Sequence, residues 1–113
     1  MRQAGKLVNM DHKPKFFIGQ VVRHRKFGYR GVVVDVDPVF QGTEEWYEQV
    51  AQSRPPKDQP WYHVLVHEAE HGTYVAERHL DTDPRGGQID HPALGEFFSR
   101  FVGGRYLSMH TLQ

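Results

Sequence analysis

The stretch HEAEH, His67 to His71, carries the spacing by which metalloproteases hold zinc. Two imidazoles four residues apart share a metal when a helix stacks them on one face, with the intervening glutamate as general base. The flanking residues favour strands instead: WYHVLV precedes the motif and GTYVAERHL follows it. At a strand rise of about 3.3 Å per residue the two histidines would lie about 13 Å apart, far beyond Zn–N bonds of about 2.1 Å. A tight hairpin could bring them closer, so a metal at the turn stays open. A metal-dependent hydrolase centred on His67, Glu68 and His71 is kept only as an alternative.

Other catalytic chemistry is thinly represented. Asp35 and Asp37 are two apart on a strand, hence on one face, and with His24 or His63 could form a cluster of carboxylates and imidazole. Such aspartates beside a proline, here Pro38, more often accept turn and backbone hydrogen bonds. The serines Ser53, Ser99 and Ser108 lie outside any Gly-x-Ser-x-Gly turn, and there is no glycine-rich phosphate loop. With no cysteine, thiolate metal sites, disulfides and cysteine nucleophiles are excluded. A non-enzymatic protein is expected, without cofactor or bound metal.

Binding chemistry is better supplied. Arg23, Arg25, Lys26 and Arg30 crowd one hairpin, with Phe27 and Tyr29 between them. Such a loop neutralises phosphates while an aromatic or arginine side chain reaches a groove, which makes Arg23, Arg25, Lys26, Tyr29 and Arg30 candidate DNA contacts. The same residues also suit a solvated strand edge protected by charge. Formal net charge is zero, yet residues 1–34 hold eight Lys/Arg against Asp11, and the remainder holds six against thirteen Asp/Glu. The two halves either present separate surfaces or pair inside the fold. The eight histidines add a further idea, an association that changes on mild acidification.

The elements that must position these groups follow from periodicity. At 113 residues, with 38% hydrophobic and 12% aromatic residues, the chain suits one soluble globular domain. Residues 1–15 have no helical or strand period and read as a flexible basic arm, and residues 16–113 as the domain. There is no apolar run of membrane-spanning length and no signal-peptide block near the start, so a cytoplasmic protein without a membrane partner is expected. FFIGQVVRHRKFGYRGVVVDVDP reads as two strands around Phe27-Gly28-Tyr29. TEEWYEQVAQS reads as a short helix capped by Thr43 and stopped by RPPKDQP. Leu94, Phe97, Phe98, Phe101 and Val102 recur at helical spacing, so a C-terminal helix opened by Asp90-His91-Pro92 is expected over 90–104, ended by Gly103-Gly104. Its stripe suits core packing or a subunit contact.

The segments IGQVVRH, GYRGVVVDVDP, PWYHV and YVAE, with Leu80 three residues later, resemble the YccV-like family, also called the hemimethylated DNA-binding domain or HspQ-like family. The likeness spans residues 16–80. It implies a small SH3-like antiparallel barrel, mainly β, with the short helix in the connection and the C-terminal helix as additions. It also implies no known active site, and self-association as a trimer. Two roles come with it: an adaptor for Lon protease that affects turnover of DnaA and other substrates under stress, taken as the leading reading, and binding of double-stranded hemimethylated DNA. SH3-like barrels hold extended segments in aromatic grooves, which makes Trp61, Tyr62, His63 and Tyr74 candidate protein contacts unless a helix covers them.

Overall fold

The β-branched runs predicted as strands form a five-stranded antiparallel sheet in a computed structural model, which describes residues 13–108. Strands β1 (Val21–His24), β2 (Arg30–Asp37), β3 (Trp61–Val66), β4 (Gly72–Ala76) and β5 (Leu80–Thr82) lie in the order β4-β3-β2-β1-β5. Most of the arm expected over 1–15 lies outside the described residues.

The central strands are apolar on both faces because both faces are covered. Val22, Val33, Tyr62, Val64, Val75 and Leu80 pack with Phe16 on one side. On the other, Val21, Val32 and Leu65 meet Ile89, Phe98 and Tyr106 from the C-terminal segment. Further along that side Trp61 and Ala76 meet Tyr47 and Ala51 of helix α1 (Glu44–Val50) and the residue that ends it. Thr43 caps α1 as its sequence predicts, its side chain accepting from the Trp46 amide at 3.1 Å.

The C-terminal segment departs from the helix expected over 90–104. Only Leu94–Phe97 is helical (α2); Phe98–Val102 (β6) then pairs with Arg105–Ser108 (β7). Gly103 and Gly104 turn between these strands with φ of +61° and +85°, as a two-residue hairpin requires. The register shifts between Phe98 and Arg100, a bulge that lets Phe98 and Phe101 both contact Tyr106 although they are three apart. A bulged strand thus reproduces the spacing of a helix. The hairpin is tied to the start of the sheet through Gly19, whose carbonyl accepts from the Tyr106 amide at 2.8 Å. A Cβ at Gly19 would collide with the Tyr106 carbonyl, and its φ is +96°, so the close approach needs glycine.

Candidate binding surface

The turn between β1 and β2 is built around one imidazole. His24 Nδ1 accepts from the amides of Lys26 and Phe27 at 3.1 and 3.0 Å, and Gly28, at φ +79°, closes the turn onto the His24 carbonyl. A ring nitrogen that accepts two N–H groups cannot also carry a proton. Burial, and then the nearby His79 and Lys26, hold the His24 pKa below the usual value. The ring stacks on Phe27 at 4.7 Å and on His79 at 5.7 Å. Phe27 lies at the tip and is 70% exposed, the most exposed large apolar side chain among those described.

Cations surround this tip unevenly. Arg23, Arg25, Lys26 and Arg78 are all exposed. Asp81 stands opposite Arg23 in the β1–β5 register, and its carboxylate accepts from Arg25 Nε at 3.0 Å. Lys26 Nζ lies 5.6 Å from the Phe27 ring, and Arg78 donates to the Ser53 carbonyl. Arg30, predicted with them as a DNA contact, is committed elsewhere. Its Nε donates to Asp83 at 2.6 Å and another guanidinium nitrogen to the Gly87 carbonyl at 2.6 Å, with side-chain exposures of 16% for Arg30 and 1% for Asp83. Burial pushes the Asp83 carboxyl up, but the Arg30 bond, with Arg85, holds it below the usual carboxylate range. Tyr29 is half-buried, its hydroxyl bonded to Thr73 at 2.9 Å and its pKa raised by burial.

The aromatic set predicted for protein binding divides in the same way. Trp61 and Tyr62 are 1% and 0% exposed, so they are core residues and not partner contacts. Trp61 lies under α1 and donates to the Pro56 carbonyl; Tyr62 donates to Glu77 at 2.6 Å, and burial with that bond raises its pKa. His63 and Tyr74 remain partly exposed, side by side with ring centroids 4.5 Å apart. Beside them two grooves share Trp46, Val50, Thr73 and Tyr74. One, of about 460 Å³, runs toward Phe27, Ser53 and His79; the other, of about 540 Å³, toward Val34 and His63. Phe27, Trp46 and Val50 therefore belong to the surface although they were absent from the predicted contacts. Phe27 alone had a local signal, a large aromatic residue between lysine and glycine at a turn.

HEAEH occupies the turn between β3 and β4, not a helix, with Glu68 at φ +61°. Its groups are structural: His67 Nδ1 accepts from the Asp90 amide at 2.9 Å, and the Glu68 amide donates to the Asp90 carbonyl at 2.8 Å. His91, buried nearby, bonds the His71 carbonyl through Nε2 at 3.0 Å. No metal-ligating group forms at this turn among the described residues, whereas Asp35, Asp37 and His63 do converge. Ser53 Oγ is 2.8 Å from His79 Nε2, but among the described residues no carboxylate bonds the other nitrogen of that ring, so no triad is assembled.

A family model described as "Hemimethylated DNA-binding protein YccV like" matches residues 14–105. The chain belongs to the YccV-like family. The match takes in the five-stranded sheet, α1 and α2, and runs as far as the first residue of β7, so the C-terminal hairpin lies largely inside it. The YccV-like family is described by binding and not by a reaction. Among the described residues no helix is long and apolar enough to cross a membrane.

Proposed function

We propose that this YccV-like protein binds hemimethylated duplex DNA through the β1–β2 turn. The observation that carries the reading is the exposed Phe27 ring, 5.6 Å from Lys26 Nζ, on a turn where Arg23 and Arg25 are also exposed and Arg25 bonds the carbonyl of the exposed Arg78. Phosphates are met by the cations, while the ring supplies the apolar contact that telling a methyl group on one strand demands. His24 holds the ring in place from below. Four such cations predict a slope of log K against log salt of about −3 to −4.

Fluorescence anisotropy with hemimethylated and unmethylated forms of one duplex tests this. Arg23→Glu with Lys26→Glu is expected to abolish binding to both, and Phe27→Ala to remove the preference for the hemimethylated form while leaving salt-dependent binding. Equal affinity for both duplexes in the unaltered protein would sink the reading.

A second reading, an HspQ-like adaptor in Lon-dependent degradation of DnaA and other proteins, is favoured by the apolar groove of about 460 Å³ that starts at the same turn. Val50, exposed on its wall, is the residue to alter. Val50→Asp should weaken stimulation of DnaA proteolysis by purified Lon, and an unchanged rate with and without the protein would remove this role. Trimer formation fits the exposed Phe17 and Ile18, with Arg105 stacked 5.4 Å from the Phe17 ring. Sedimentation equilibrium of Ile18→Asp against the unaltered protein checks it, with loss of the trimer expected.

A further inference from the structure

Asp35, Asp37 and His63 each place a ligand atom within 4.8 Å of the others. Sheet register brings them together. Asp35 is paired directly with His63 across β2 and β3, just past the register shift that follows Val33, and Asp37 lies two residues further along β2. On the next strand Tyr74 is the register partner of His63, and its hydroxyl donates to Asp37 Oδ2 at 2.6 Å. The same oxygen lies 3.1 Å from His63 Nε2.

The charge in this cluster does not balance. Among the described residues the only ion-pair partner of either carboxylate is the His63 imidazole; neither meets a lysine or arginine. The two carboxylates lie on one strand, two residues apart, and a cation between them would offset their mutual repulsion. The nitrogen-to-oxygen separation of 3.1 Å also matches the spacing of adjacent ligands around an ion with bonds of about 2.1 Å. The donors are one imidazole and two carboxylates, a set that suits zinc and its neighbours better than calcium or magnesium. The cleft of about 540 Å³ lined by His63 and Tyr74 adjoins the cluster and leaves room for water on the remaining coordination positions.

We propose that Asp35, Asp37 and His63 form a binding site for one divalent transition-metal ion of the zinc class. His63 binds through Nε2, whose proton passes to Nδ1 or to solvent as the metal replaces the bond to Asp37. Tyr74 is a positioning residue: its hydroxyl fixes the rotation of the Asp37 carboxylate and stays bonded to it in the loaded site. The site does not depend on the DNA or adaptor readings.

The test uses the full chain, stripped with chelator, titrated with zinc chloride by calorimetry and with cobalt(II) by visible absorption. One equivalent is expected per chain, with a raised melting temperature. Asp35→Asn and His63→Gln should each lower affinity by about tenfold or more, and Tyr74→Phe by about tenfold with the cobalt spectrum retained. His71→Gln, which alters an exposed histidine outside the cluster, should change nothing. Absence of saturable binding overturns the proposal, as does zinc uptake that survives Asp35→Asn and His63→Gln but is lost in His71→Gln. Asp35 is exposed, so Asp35→Asn keeps the test decisive even where His63→Gln fails to fold.

Discussion

The two tight turns of the sheet, β1–β2 and β3–β4, invert what their sequences advertise. HEAEH has the stronger motif, yet His67 and the Glu68 amide are both bonded to Asp90, and the turn serves to anchor the C-terminal segment. HRKFG has no motif, yet its histidine faces inward to organise the backbone and its phenylalanine is turned out to solvent. The difference teaches that a residue's chemistry is available only when its polar atoms are not already committed to holding the chain. The same contrast separates Arg30, locked on Asp83, from Arg23 on the neighbouring strand.

The largest effect expected from breaking this division is at its structural end. Asp83→Ala leaves the Arg30 guanidinium buried without its partner, which should cost about 3 to 5 kcal/mol in urea unfolding. His67→Ala removes the acceptor of the Asp90 amide and should cost about 1 kcal/mol by the same assay, a loss that a purely surface histidine would not show.

Acid should sharpen the comparison, because the imidazoles beside the β1–β2 turn and the Asp83 carboxyl that holds Arg30 are shifted for different reasons. His24 and His79 both have folded pKa values below the ordinary 6.5, so the unfolded chain binds more protons between the two values. Their contribution is complete above about pH 6.5 and is lost as pH falls below it. Melting temperature should therefore drop between pH 7.5 and 5.5, and drop less in His24→Asn. Asp83 acts lower: its folded carboxyl is held below the ordinary 3.8, so its contribution is present above that value and lost as pH falls through the folded one. The smallest effect is expected at the exposed tip of the β1–β2 turn. Phe27→Ala should change stability by no more than about 0.5 kcal/mol, since the ring is mostly exposed, and a larger loss would reassign it to a structural role.

Much of the architecture was legible because it is local. The runs VVRH, GVVVDVD and WYHVLV alternate or run apolar over strand lengths, and Thr43 followed by acidic residues marks the start of α1. The family segments likewise stand in order along the chain. What stayed hidden depends on residues far apart in sequence. Arg30 and Arg23 are equally basic in the sequence, and only the return of Asp83, 53 residues later, commits one of them. Trp61 and Tyr62 read as a pair with one side free until α1 and Phe16 cover them. The C-terminal helix was overextended because a bulge at Ser99 mimics a helical repeat, and only pairing across Gly103-Gly104 reveals the strand.

The bond from the Tyr106 amide to Gly19, with the Gln20–Arg105 bridge beside it, joins the two ends of the described chain. This seam can close only after residue 106 has been made, so until then the face made by Val21, Val32 and Leu65 lacks the cover that Phe98 and Tyr106 give it. Withdrawing residues 98–108 would uncover part of that face while leaving every strand pairing of the five-stranded sheet intact.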